Sequence, residues 1–265
     1  MSGLPFNDTK AARPCPAGRF NPSANGADIS ACQLCPRGSW CQVAAATPHP
    51  CPAGVYGSIA GLKDEGCSGL SAVGHYTEQS AVSATSAPCE AGTYGGSPGL
   101  KSQANCSVCP DGSMCVSGAV APTECTAGSF ATEGSPEGCK GCLAGEFQRN
   151  SGQSACVACT RGSYCLPRSA EPIACPPGSF TDSEGRHNCS ACPAGEFQSR
   201  GGSTTCKLCS TGGWCGAGAS AVMLCEAGTF RGEEGGASAA DCIECPVGFY
   251  CAAGAIDPAA CAPGR

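Results

Sequence analysis

Cys139-x2-Cys142-x13-Cys156-x2-Cys159 has the form of a zinc ribbon, and Cys189-x2-Cys192-x13-Cys206-x2-Cys209 repeats it. Four thiolates so spaced could hold a tetrahedral zinc ion. Further cysteines stand at fixed distances from both quartets, as C-x5-C from Cys159 to Cys165 and C-x9-C from Cys165 to Cys175. A four-ligand site has no place for them. Oxidation to disulfides uses them all, so a cystine framework is expected in place of a metal. Other chemistry has little support. The histidines His49, His75 and His187 belong to no repeated constellation. The glycines follow cysteines and do not join strand to helix, so no phosphate loop forms, and no D-x-D-x-D-G calcium loop occurs. Neither catalytic residues, metal nor cofactor are expected.

The framework must be held by very little else. The chain has 265 residues and 27 cysteines, with 39 Gly and 21 Pro as punctuation. Its 42% hydrophobic content leans on Ala and Cys, so one core of the size usual for this length cannot be assembled. Such a cysteine density implies an oxidising compartment: extracellular or cell-surface. The net charge of −6 is spread along the chain, with no basic cluster for nucleic acid. No apolar run approaches the ~20 residues of a membrane span. The start, Met1-Ser2-Gly3-Leu4-Pro5, does not read as a signal peptide, so the chain is expected to be a piece of a longer exported protein.

Internal repeats organise the chain. From Cys106 the cysteines recur every 50 residues, so that Cys109, Cys159 and Cys209 correspond. Long segments read C-x-A-G-x-[FY] and close on a later Cys, as Cys142 to Cys156 does. Short segments read C-x-x-G-x-[WYM]-C, as in Cys35 to Cys41, and a nine-residue connector follows each. An aromatic lies five residues after the opening Cys of each long segment (Phe20, Tyr56, Tyr94, Phe130, Phe147, Phe180, Phe197, Phe230). Trp40, Tyr164, Trp214 and Tyr250 hold the same offset in short segments, and Met114 fills the remaining one. A fixed offset from a half-cystine predicts a ring packed on its own bridge, a miniature core for each loop. The Gly serves a turn needing positive φ. Glu196-Phe197-Gln198 and Ser203-Thr204-Thr205, flanking Ser199-Arg200-Gly201-Gly202, read as a hairpin.

Spacing alone leaves disulfide connectivity open, but a defect in the repeat narrows it. Ser71-Ala-Val-Gly74-His-Tyr76-Thr77 is the short motif with Ser71 and Thr77 in place of its cysteines. Losing two together is what a single bridge between those positions predicts, whereas crossed pairing would strand two others. Sequential pairing is therefore favoured. Long loops would be Cys15–Cys32, Cys51–Cys67, Cys89–Cys106, Cys125–Cys139, Cys142–Cys156, Cys175–Cys189, Cys192–Cys206 and Cys225–Cys242. Short loops would be Cys35–Cys41, Cys109–Cys115, Cys159–Cys165, Cys209–Cys215 and Cys245–Cys251. Cys261 is left unpaired, to bond further along a longer chain or to another chain. The segment from Cys67 to Cys89, without its short bridge, should be the most compliant joint.

Tandem Cys-Pro-x-Gly-x-[FY], C-x2-C and Cys-Pro-x-Gly-x-[YW]-Cys motifs from Cys15 to Cys261 resemble the ephrin-receptor-like cysteine-rich repeat, a relative of the tumour-necrosis-factor and growth-factor receptor modules. The resemblance implies an elongated extracellular rod of small disulfide-rich repeats, short β-hairpins and loops, with little regular secondary structure. It carries no catalytic residues. On this reading the chain divides into an N-terminal segment (1–14), first cysteine-rich modules (15–66), a degenerate module (67–88), further modules (89–141), two repeats (142–191 and 192–241) and a truncated last module (242–265). The sequons Asn7-Asp-Thr9, Asn105-Cys-Ser107 and Asn188-Cys-Ser190 are candidate N-glycan acceptors.

Modules that touch only their neighbours build rods. The expected function is a structural one: a building block of an extracellular fibre, appendage or matrix, joined head to tail. The expected partners are copies of itself or other extracellular proteins. The alternative is the ligand-binding or adhesive ectodomain of a cell-surface receptor. If the cystine reading holds, elemental analysis of the purified chain should find no stoichiometric zinc. About one zinc per four cysteines, with free thiols appearing on chelation, would overturn it.

Overall fold

The computed structural model describes residues 13–23 and 29–262. They fold into fourteen two-stranded antiparallel sheets, each a hairpin of consecutive strands, without any α-helix among the described residues. The hairpins open at Cys15, Cys35, Cys51, Ser71, Cys89, Cys109, Cys125, Cys142, Cys159, Cys175, Cys192, Cys209, Cys225 and Cys245, and are numbered 1 to 14 in that order. The fold is an array of small disulfide-rich repeats.

Each hairpin begins with a tight turn. In hairpin 1 the Arg19 N–H donates to the Pro16 carbonyl at 3.1 Å, with Gly18 at φ +87° in the third turn position. That φ favours glycine because any Cβ would crowd the following carbonyl. The next two residues, Arg19–Phe20, form a strand that pairs with Gln33–Leu34, immediately before the next opening cysteine. The same register joins Ser163–Tyr164 to Ile173–Ala174 and Glu196–Phe197 to Lys207–Leu208.

Two sequence expectations are corrected by this register. The nine-residue connector of a short segment is no linker, since its last two residues are the hairpin's second strand, as at His49–Pro50. In hairpin 11 the second strand is Lys207–Leu208, beyond Cys206, and not Ser203-Thr-Thr205. Gln198 holds the intervening loop. Its Nε2 donates to the Thr205 carbonyl at 2.7 Å and its Oε1 accepts from the Arg200 N–H at 3.1 Å, so the side chain satisfies the loop backbone that a strand would have paired. Gln148 does the same in hairpin 8, with Ala155 and Asn150.

Consecutive hairpins are joined by main-chain hydrogen bonds. Between hairpins 10 and 11 there are four: Gly178 N–H to Gln198 O (2.7 Å), Cys192 N–H to Gly178 O (2.9 Å), Gly202 N–H to Cys175 O (2.8 Å) and Thr181 N–H to Ser203 O (3.2 Å). Hairpins 4 and 5 repeat the set through Gly74, Cys89, Gly99 and Thr77, although hairpin 4 has lost its cysteines. Alternate hairpins also touch, contrary to the neighbours-only expectation. A Cβ placed on Gly195 of hairpin 11 would lie 2.7 Å from the Gly235 carbonyl oxygen of hairpin 13. The accepting residue at that contact is itself at positive φ, +76° at Gly235. Its counterparts are mostly glycines, with Ala44 (φ 62°), Ser80 (φ 65°) and Arg168 (φ 64°) as exceptions.

The array forms two compact units. The first holds described residues up to Glu124 with Ala131–Cys139; the second holds Cys125–Phe130 and the residues from Lys140 onward. The division coincides with a change in repeat order. Long and short hairpins alternate from Cys15 to Cys109, and from Cys125 two long hairpins precede each short one as far as Cys209.

The core is sulfur and not aromatic. Cys35, Cys41, Cys51, Cys89, Cys109, Cys159, Cys165, Cys175, Cys192, Cys209 and Cys215 are fully buried, while the repeat's rings are half-buried, and Phe249 and Tyr250 are exposed. Phe20 packs against Cys35, Cys41 and Ala45 of the next hairpin. The ring therefore covers its neighbour's bridge where the sequence predicted its own, because a two-residue strand leaves no apolar surface within the hairpin. In the degenerate hairpin Ser71 and Thr77 are fully buried. Thr77 Oγ1 donates to the Val55 carbonyl of hairpin 3 (3.2 Å), and Ser71 Oγ to the Leu100 carbonyl of hairpin 5 (3.3 Å). Hydroxyl bonds to both neighbours thus stand where a bridge within the hairpin would be.

Two expected outcomes follow from these contacts. Gly195 and Gly248 have nearly the same φ (+90° and +88°), but nothing lies within 4 Å of a Cβ on Gly248. Gly195→Ala should therefore cost about 1–3 kcal/mol more than Gly248→Ala in local stability by amide exchange. Equal losses would mean that φ alone demands glycine. A bridge across so short a loop is worth ~2 kcal/mol and a hydroxyl bond ~1 kcal/mol. The paired substitution Ser71→Cys with Thr77→Cys should form a disulfide by mass spectrometry and leave amide exchange in residues 71–88 nearly unchanged, because the bridge replaces two hydroxyl bonds of about the same total worth. Free thiols in the double variant would show that the two positions are not equivalent to a half-cystine pair.

Candidate functional site

The residues singled out for chemistry are the cysteines and the sequon asparagines. The long hairpins hold Cys15–Cys32, Cys51–Cys67, Cys89–Cys106, Cys142–Cys156, Cys175–Cys189, Cys192–Cys206 and Cys225–Cys242. The short hairpins hold Cys35–Cys41, Cys109–Cys115, Cys159–Cys165, Cys209–Cys215 and Cys245–Cys251. Cys125 and Cys139 are disulfide-bonded as well. Cα separations run from 5.7 Å at Cys142–Cys156 to 6.1 Å at Cys51–Cys67, inside the range a disulfide spans.

The two half-cystines of a long loop do different work. The opening one lies in the stacked backbone: Cys192 N–H bonds Gly178 of the preceding hairpin, and its carbonyl accepts from Gly218 N–H of the following one at 2.8 Å. The closing one, Cys206, is only half-buried and fastens the loop that Gln198 folds over. Each bridge therefore ties a variable loop to an invariant backbone ladder. Cys261 is exposed and free, and its N–H donates to the Gly248 carbonyl at 3.0 Å, the bond an opening cysteine makes elsewhere.

Asn105 is exposed in the short 3-10 turn Gln103–Asn105, where its Oδ1 accepts from Ser102 Oγ at 3.1 Å. Asn188 is exposed beside the half-cystine Cys189. Asn7 lies outside the described residues. His75 Nδ1 is 3.1 Å from the Val73 carbonyl, and the ring of His49 stacks on Trp40 with centroids 4.9 Å apart. Nothing brings the three histidines together. Among the described residues no cluster of His, Cys, Asp and Glu could hold a metal ion. No helix of the described residues is long and apolar enough to cross a membrane.

Charge contributes locally. Asp241 Oδ2 accepts from the Ala237 and Ser238 N–H groups at 2.7 and 3.0 Å, and those bonds hold its carboxyl below the ordinary carboxylate range. Arg231 reaches the same turn through the Asp241 carbonyl at 2.8 Å. The sequence reading missed this pair and the two glutamines that fold the long loops; a Gln directly after the aromatic, in Glu-Phe-Gln, was their only signal. A shallow groove lined by Trp214, Met223, Leu224, Glu226 and Thr229 crosses the junction of hairpins 12 and 13. It gathers no acid–base pair.

No curated protein matches the chain. Residues 178–222 match the family model described as tyrosine-protein kinase ephrin type A/B receptor-like. The match runs from the turn glycine of hairpin 10 to just before the second strand of hairpin 12, and so contains the whole of hairpin 11 with its turn, cystine and aromatic. The turn glycine and half-cystine positions recur in every hairpin from Cys15 to Cys251, with Ser71 and Thr77 standing in once, so the array repeats along its length the pattern of the segment that is similar to the ephrin-receptor-like cysteine-rich family.

Proposed function

We propose that this array is an extracellular structural protein and not an enzyme: a building block of a surface fibre, appendage or matrix that assembles head to tail. The observation that carries the reading is the junction. The same main-chain bonds recur from junction to junction with different side chains around them, four at most junctions, so length is added simply by adding hairpins. The bridges persist only in an oxidising compartment, which supports a location outside the cell or on its surface. On this reading Asn7, Asn105 and Asn188 are the N-glycan acceptors, Asn7 foremost because no half-cystine stands within its sequon, and the partners are further copies of the chain or other extracellular proteins.

The family match favours a second reading, the ectodomain of a cell-surface receptor, in which the stacked hairpins display a ligand-binding or adhesive face. Electron microscopy and sedimentation of the purified oxidised protein separate the two. The structural reading expects regular polymers whose length grows with protein concentration. Single particles of one length at every concentration would overturn it in favour of the ectodomain.

A further inference from the structure

The contact between alternate hairpins has a side-chain half. The residue just before an opening cysteine lies over the positive-φ residue of the hairpin two further on. Leu34 covers Gly61, where an added Cβ would sit 3.1 Å from Leu34 Cδ2. Leu224 covers Gly254 in the same way at 3.3 Å, and the smaller Ala174 covers Gly202 at 3.7 Å. A bare glycine thus receives a side chain. One pair is reversed: the positive-φ residue is Arg168, and the residue facing it from hairpin 7 is Gly141. A Cβ on Gly141 would lie 2.6 Å from Arg168 Cγ and 3.2 Å from Cδ, so the arginine stem occupies the space that a leucine or alanine fills elsewhere.

We propose that these two positions form a size-matching contact that determines which hairpins can lie over one another, and that Gly141 and Arg168 are its size-exchanged pair. One member must be bare for the other to be large. Hairpin 9 can therefore stack on the bare Gly141 of hairpin 7, but its Arg168 does not fit the leucine-bearing partner used elsewhere. The proposal concerns how hairpins select one another and holds whether the array is a fibre or an ectodomain.

A double-mutant cycle in the full oxidised chain tests it, read by amide exchange of the Arg168 and Cys159 N–H groups, which bond to the Cys142 and Gly145 carbonyls across the junction of hairpins 8 and 9. Gly141→Leu alone should lower their protection about ten-fold. Arg168→Gly removes both the arginine stem and the positive-φ strain, so the informative comparison is made within that background. There, Gly141→Leu should be harmless or protective, because leucine over glycine is the array's common pair. An equal loss in both backgrounds, or no loss in either, would overturn the proposal. If Gly141→Leu does not fold, Gly141→Ala gives the same comparison with a smaller change.

Discussion

In most hairpins the turn glycine directs both its N–H and its C=O to the next hairpin, as Gly178 does. That peptide group is the constraint on which the rest of the array depends. A two-residue strand pair buries almost nothing and would not persist alone in water. Joined to its neighbours by four main-chain bonds, it becomes one step in a ladder whose interior is sulfur and backbone. Glycine is required there twice over, for the φ and for the carbonyl of the second hairpin along that lies against its Cα.

The bridges and the ladder do complementary work. A bridge acts within one hairpin, closing a loop of 6 to 17 residues, and stabilises chiefly by restricting the unfolded chain. The ladder acts between hairpins. Hairpin 4 separates the two effects: it keeps every junction bond with its cysteines gone, and its buried hydroxyls add bonds to hairpins 3 and 5. Loops fixed at both ends in this way are free to vary in length, from a cysteine separation of 14 in hairpin 8 to 17 in hairpins 1, 5 and 13, where a 3-10 turn is added.

Much of the fold was legible in the sequence because half-cystines, glycines and aromatics fall at fixed offsets. Cys-x-x-Gly announced each turn, and the ring five residues on announced each first strand. What stayed hidden is carried by main chain. Nothing in Ser203-Thr-Thr205 says that Gln198 will satisfy its carbonyl, so the second strand was placed too early. The second positive-φ position was masked where Ala44, Ser80 and Arg168 occupy it. The position of Phe20 was read correctly and its packing on the next hairpin's bridge was not, since a ring over the next hairpin's bridge has the same sequence signature as one over its own. For the candidate site, the sequence could name cysteines and sequons but no complementary surface, because a stack held by peptide groups leaves few side-chain marks.

Because alternate hairpins lie one over the other, the array has a parity. Within either unit, removing or inserting one hairpin keeps the ladder intact but carries every later loop, glycan site and exposed ring to the opposite side. Removing or inserting two leaves them where they were. A sequence repeat of three hairpins, as from Cys125 onward, therefore presents any given loop on alternating sides, and returns it to the same side only after six hairpins. A two-hairpin alternation, as between Cys15 and Cys109, keeps all its long loops on one side and its short ones on the other. The order in which long and short repeats are strung together is in this way a choice between a two-sided and a one-sided surface, made without altering a single junction.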